Sequence, residues 1–401
     1  MSYEVALATV LGQARSFGKE SVSLSSALGR VLAQDVVAPF GMPRFDNSAV
    51  DGYAVSDADI GVLPKTLSVA GIVQAGADST GFVLEPGVTV QVMTGALLPT
   101  ATSAVLMQED VERLGDSITL NVPTIVGRNI RRQASEFRKG DVILSKGTIV
   151  SPPSLLAIAS LGLSSIDVSR QARIGILVTG DELVEPGQEL NTGEIYESNS
   201  FAIQSSLTLL GFNSVILRAK DTAVETEEAM ASLLETCDVL ISLGGVSVGL
   251  FDFVRGAICH HGFEILVPKV AVKPGKPFVF GRRNEDGKVV FGLPGNPMSA
   301  LCTFTLFVWP YLSRSCGQKP QATIECALDT DFANNGDRVE LVPATARFEK
   351  GQMFVKPLPT PGSHSVSGLV ETDCFIVVPI LTRLEKNSIV QAVRLPWRSF
   401  V

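Results

Sequence analysis

At 401 residues, with 45% hydrophobic and 18% charged side chains, the chain is too long for one compact core and too apolar to be disordered. A net charge of −8 gives no electrostatic footprint for a general nucleic-acid role. The first eleven residues carry Glu4 and no basic segment, and the longest apolar run, 300–312, is short and broken by threonines and Pro310. Neither a signal peptide nor a membrane span is expected, which points to a soluble, cytoplasmic protein.

Two helical stretches are expected within the first forty residues, one with Val5, Leu7, Ala8 and Leu11 on a common face and one over 26–32. Short β-rich runs follow at 67–73, 89–93, 104–107 and 117–122, separated by Gly, Pro and Asp, as in a small all-β domain. A helix is expected from Pro152 or Pro153 to Gly162. From about Ala172 strands and helices alternate. The strands are 174–178, 214–218, 238–243 and 289–291, and the helices are one capped by Asn199 and ending at Gly211, two over 224–235 and 253–259, and one onward from Pro297. That alternation predicts a mostly parallel sheet with helices on both faces. The tail from Lys319 is again β-patterned and suits a small barrel or a sandwich.

The 36 glycines and 22 prolines are spread as turn punctuation rather than as a linker. Six cysteines without a C-x-x-C pair suit reduced, mostly buried thiols. Three histidines, His260, His261 and His364, make a histidine-ligated metal a poor fit, whereas oxygen-ligated Mg²⁺ stays open.

Chemistry is expected where open parallel sheets bind ligands, outside the carboxyl ends of the strands. Three glycine-marked loops fall there: Thr179-Gly180-Asp181-Glu182, Gly244-Gly245-Val246-Ser247-Val248-Gly249 and Pro294-Gly295-Asn296-Pro297-Met298-Ser299. Each has a plain structural alternative. Thr179-x-x-Glu182 fits a capping box, although Pro186-Gly187 leaves little helix to cap. The second loop is neither G-x-G-x-x-G nor Walker A. Asn296-Pro297 is a good helix start, and free N–H groups at such a start also attract anions. Lys273-Pro274-Gly275-Lys276-Pro277 places two ammonium groups on a stiff turn. Glu182, Asp221 and Asp252 follow strands on one sheet edge, where carboxylates facing phosphates commonly hold Mg²⁺, yet Asp221 and Asp252 could equally cap the helices after them. The polar cluster 43–54 could be stacked Asx turns and no more.

Together the segments resemble the molybdopterin molybdenumtransferases, the MoeA-like family that includes the gephyrin E domain. The resemblance rests on P-R-F-D-N-S-A-V-D-G-Y-A at 43–54, M-T-G-A at 93–96, T-G-D-E-L at 179–183, G-G-V-S-V-G at 244–249, K-P-G-K-P-F at 273–278 and G-L-P-G-N-P-M-S-A at 292–300. It implies an elongated, multidomain α/β protein that forms a homodimer. Domain I would be a helical connector in two pieces, 1–38 and 139–170, and domain II (39–138) β-rich. Domain III (171–317) would be doubly wound and mostly parallel, and domain IV (318–401) a small β-barrel.

The family reaction inserts molybdate into adenylylated molybdopterin and releases AMP with Mg²⁺. By resemblance Lys273 and Lys276 would hold molybdate, bordered by Ser247, Ser299, Arg338 and Ser363. Glu182, Asp221 and Asp252 would hold Mg²⁺. Gly180, Asp181, Gly244, Gly245, Gly249, Pro294 and Asn296 would cradle the pterin adenylate, and Asp51 and Thr94 would complete the partner protomer's site. The molybdopterin adenylyltransferase is a candidate protein partner. Two stretches depart from the family pattern: Arg131-Arg132-Gln133-Ala134-Ser135-Glu136 stands where R-R-x-G-E-D is usual, and Pro343 replaces a second arginine after Arg338. Rival readings are a diverged scaffold on the same fold, a different nucleotide-cleaving enzyme on the same α/β domain, and tungstate as the physiological oxyanion.

Overall fold

A computed structural model of the chain describes residues 1–61, 63–246, 253–318, 323–359 and 362–398. The chain forms two compact units, one of residues 1–34, 147–151 and 165–401, the other of 35–146 and 152–164. No helix among the described residues is long and apolar enough to cross a membrane. All six cysteines are free, and only Cys259 is exposed.

The first unit is built on a six-stranded sheet in the order Ser214–Ala219, Ile174–Thr179, Val239–Leu243, Val289–Leu293, Val279–Arg283, Phe263–Val267. The first four strands are parallel and the last two antiparallel. Both faces are covered, so the inner strands must be apolar at every position rather than at alternate ones. Ile174, Ile176 and Val178 pack into one core with Phe291, Phe304 and Tyr311, while Leu177 packs on the opposite face with Leu240 and Leu233. Gly175 faces that second side because an added Cβ would stand 2.9 Å from Leu240 Cδ2. Phe278 stacks on Phe307 at 4.3 Å. The expected long helix from Pro297 runs through residue 315, with a π-helical stretch at Phe304–Val308 between two α segments.

The start of the chain differs from expectation. The helix Tyr3–Gly12 buries Ala6 and Val10 and leaves Val5 exposed, so the buried stripe is shifted from the expected one. No α-helix follows over 26–32. Instead Lys19–Ser23 pairs antiparallel with Ser165–Ser169, and Val31 bridges Ile149. A strand partner more than a hundred residues away overrides local helical propensity here.

The tail forms a barrel rather than a sandwich. Val339–Glu349, Gln352–Pro357, Ile324–Leu328, Ile389–Arg394 and Cys374–Val378 pair in turn, and the last returns to the first, closing five strands. Closure leaves no free edge within the ring. Outside it, Val272–Lys273 joins Val339–Glu349 in parallel and ties the barrel to the α/β core.

The second unit holds another six-stranded sheet, in the order Ala104–Met107, Gly52–Val55, Val88–Val92, Lys65–Val73, Ser117–Leu120, Val111–Leu114. Gly52 has no substitute in it, since an added Cβ would lie 1.8 Å from the Leu106 carbonyl oxygen. The unusual 131–136 stretch is anchored to the 43–54 segment. Arg132 Nη1 and the Gln133 N–H each donate to Asp46 at 2.7 Å. Burial raises the Asp46 pKa, but these bonds outweigh it and hold the carboxyl below its ordinary range. Ala134 sits at φ 57°, so the backbone keeps a left-handed turn where the family pattern has glycine. That conformation costs an L-residue about 1–2 kcal/mol, partly offset by the greater unfolded freedom of glycine. Ala134→Gly is therefore expected to stabilise this unit by about 0.5–1 kcal/mol in urea titrations. A loss instead would assign the Ala134 methyl a packing role.

Candidate active site

The first four strands of the α/β sheet read second, first, third, fourth in chain order, so the connections reverse between Ile174–Thr179 and Val239–Leu243. Such switch points open a crevice at the carboxyl ends of the strands. A cavity of about 640 Å³ lies there, lined by Thr179, Gly180, Glu182, Asp221, Gly244, Gly245, Pro294 and Asn296 among others. Gly245 is required at its floor: its φ is +63°, and an added Cβ would come 2.4 Å from Val254 Cγ2.

The capping-box reading of Thr179 is not what forms. Residues 180–182 turn directly into the strand Leu183–Val184, and the buried Thr179 Oγ1 has no hydrogen-bond partner among the described residues. Asp221 is not the helix cap either. Thr222 caps Ala223–Thr236, its side chain accepting from the Glu225 N–H, and this leaves the Asp221 carboxylate to the cavity. The Asp221 N–H donates to Asp181 Oδ1 at 3.1 Å. Burial first, then the charges of Asp181 and Glu182, raise the Asp221 pKa above the ordinary value. An acid raised on folding binds its proton more readily folded than unfolded, so it penalises the folded state at neutral pH. The penalty fades as pH falls through the folded value toward the unfolded one near ~4. Asp221→Asn is therefore expected to melt on the order of 1 °C above wild type at pH 7, solvent screening keeping the gain small. The gain should disappear near pH 4, and a variant less stable at pH 7 would remove this account of the charge cluster.

A second cavity of about 700 Å³ adjoins the first, and the two share Pro277, Pro294 and Asn296. Its lining brings together Lys273, Lys276, Ser299, Arg338 and Ser363, with residues of the α/β core on one side and of the barrel on the other. The two chambers differ in charge: Glu182, Glu197 and Asp221 line the first, whereas in the second Lys273, Lys276 and Arg338 outnumber Glu340. The helix start at Asn296 offers fewer free donors than expected. Pro297 has no N–H, the Met298 N–H donates to the Ser363 carbonyl at 3.2 Å, and Asn296 Nδ2 donates to Ser363 Oγ at 2.9 Å.

Several lining residues escaped the sequence reading. Glu197, 2% exposed, caps the helix Asn199–Leu209 by accepting from the Ser200 N–H and Oγ. Asn199, expected in that role, donates instead to the Gly295 carbonyl at 2.6 Å. Glu340 pairs with Lys273 at 2.9 Å. A Ser-Asn helix start just after Glu197 was a usable signal, whereas nothing local marks Glu340.

Ser247, Gly249 and Asp252 lie outside the described residues. Among the described residues no group of three His, Cys, Asp or Glu is close enough to hold a metal ion. Asp51 and Thr94 belong to the other unit. There Asp51 Oδ1 accepts from the Thr94 N–H at 2.7 Å and from Thr94 Oγ1 at 2.8 Å, and these bonds lower the Asp51 pKa.

Three domain-family sequence models match in chain order. They are the MoeA N-terminal region (domain I and II) over residues 1–162, a probable molybdopterin binding domain over 175–314, and the MoeA C-terminal region (domain IV) over 325–395. A molybdopterin molybdenumtransferase from Haemophilus influenzae is 38% identical over 367 residues, covering 90% of this chain and 89% of its own. A protein of the same name from Staphylococcus aureus is 31% identical, with 93% and 90% covered. The crystal structure of a molybdopterin biosynthesis MoeA protein from Pyrococcus horikosii matches with a TM-score of 0.85 at 29% identity, covering 98% of this chain and 99% of that one. With its domains in the same order and similarity over nearly its full length, the chain belongs to the MoeA family of molybdopterin molybdenumtransferases.

Proposed function

We propose that this chain inserts molybdate into adenylylated molybdopterin and releases AMP, using the two adjoining chambers as one site. The observation that carries the reading is their segregation of charge. Both substrates are anions, so the enzyme must overcome their mutual repulsion while holding them in contact. The cationic chamber suits the oxyanion: Lys276 and Arg338 supply charge, and Ser299 and Ser363 supply hydroxyl donors. Ser363 Oγ accepts from Asn296 Nδ2, which leaves its own O–H available to donate to a ligand. The carboxylate-lined chamber at the switch point takes the pterin adenylate, with Gly180, Gly244 and Gly245 allowing close approach of backbone to phosphate.

Glu182 and Asp221 form an oxygen-only donor set that fits Mg²⁺, with Asp252 as a proposed third ligand. Mg²⁺, when bound, would offset the repulsion between those carboxylates and the phosphates. No cysteine is needed as a nucleophile. A cytoplasmic homodimer, in which Asp51 and Thr94 complete the partner's site, is part of the same proposal.

A single-turnover assay with adenylylated molybdopterin, Mg²⁺ and molybdate tests it. AMP release that depends on molybdate, with an apo-molybdoenzyme reactivated by the product, is the expected result. Tight adenylate binding without turnover would overturn the transferase reading in favour of a scaffold. In the same assay Asp221→Asn should lose about 100-fold or more in rate.

A further inference from the structure

The cationic chamber contains a carboxylate for which oxyanion binding has no evident use. Glu340 lines it beside Lys273, Lys276 and Arg338. Its Oε1 lies 2.9 Å from Lys273 Nζ, with the carboxylate side chain 20% exposed and the lysine 58%. The pairing is set by the backbone. Val272–Lys273 runs parallel to Val339–Glu349 with Lys273 opposite Glu340. Arg338 Nη1 locks the same junction by donating to the Val272 carbonyl at 3.3 Å. Lys273 is therefore committed to a protein anion, whereas Lys276 makes no ion pair among the described residues.

A fixed carboxylate in an anion chamber opposes its ligand twice: it repels the dianion and occupies a cation the dianion could use. A half-exposed ion pair is weak enough to be given up when a stronger anion arrives. We propose that Glu340 is a built-in competitor of the oxyanion for Lys273. With the chamber empty, Glu340 neutralises the ammonium and keeps it extended along the cavity wall. An entering tetrahedral dianion takes the lysine over, and Glu340 takes it back as the oxyanion leaves for the pterin. The carboxylate so tempers affinity and keeps the chamber from trapping the anion it must hand on.

This inference rests on the reading of the chamber as an oxyanion site, and the test separates the two. Molybdate binding is measured by calorimetry at low and high salt for wild type, Glu340→Gln, Glu340→Asp and Lys276→Ala, with thermal melts confirming the fold. Glu340→Gln should bind molybdate about ten-fold more tightly at low salt, a gain that shrinks as salt is added. Glu340→Asp keeps the charge and should show no such gain. If Glu340 merely props Lys273 in place, Glu340→Gln binds more weakly, and that result, or no change, overturns the inference while wild-type binding and its loss in Lys276→Ala uphold the site. Equal tightening in Glu340→Asp also overturns it, because charge is then not the cause. Failure of wild type to bind molybdate overturns both readings together.

Discussion

Lys276→Ala is expected to leave the fold intact and to weaken molybdate binding by about 100-fold, roughly 3 kcal/mol, the scale for removing one partner of a desolvated charge pair. The expectation rests on what Lys276 does not do. Among the described residues its ammonium makes no ion pair, and its backbone carbonyl accepts from the Val270 N–H, a bond that alanine keeps. The turn around it is fixed by Gly275, at φ +119°, where an added Cβ would stand 2.7 Å from Thr303 Cγ2. Removing an exposed side chain from such a turn should shift stability by less than about 0.5 kcal/mol. Lys273 offers a less clean experiment, because its loss also strands Glu340 without its partner. Calorimetric titration with molybdate and a thermal melt of the same protein decide the matter. Unchanged affinity in a well-folded variant would remove the oxyanion assignment of the chamber.

What the sequence revealed and what it hid divide along a physical line. The central strands were legible because a strand covered on both faces must be apolar throughout, and Ile174–Thr179 and Val239–Leu243 have no exposed position. The glycine loops were legible because backbone that turns sharply off a buried strand, as at Gly244 and Gly245, needs positive φ. Together they placed the carboxylate-lined chamber. Features set by distant pairing were hidden. Residues 19–23 became a strand only because Ser165–Ser169 lies alongside, and the barrel closes through Cys374–Val378 returning to Val339–Glu349. The Lys273–Glu340 pair is of the same kind, a register between segments over sixty residues apart. Caps were legible only to within one or two places, because neighbouring polar residues compete for the same N–H groups: Glu197 serves where Asn199 was expected, and Thr222 caps the helix for which Asp221 was the alternative. The departure at Ala134 looks severe as a letter change and is mild as a structure, since the left-handed backbone and the bonds to Asp46 are present.

Mixed dimers are expected to recover activity from two inactive proteins, Lys276→Ala and Asp51→Asn. Asp51 is exposed, and both bonds from Thr94 go to its Oδ1, which holds the carboxylate in one orientation and keeps it ionised. Asparagine can accept the same two bonds through its own Oδ1, so the substitution removes the charge and leaves the geometry. If the proposed homodimer shares its clefts, each site draws Lys276 from one protomer and Asp51 from the other. Both homodimers then carry a defect in every site. In a mixed dimer one site collects both defects and the other collects neither. Random reassociation makes about half the dimers mixed, each with one working site of two, so about a quarter of wild-type activity should return. Recovery at that level, absent from either variant alone, is a readout that a merely weakened fold does not produce. No recovery from protomers shown to exchange would place Asp51 in its own chain's site, and an active Asp51→Asn homodimer would place it outside the site altogether.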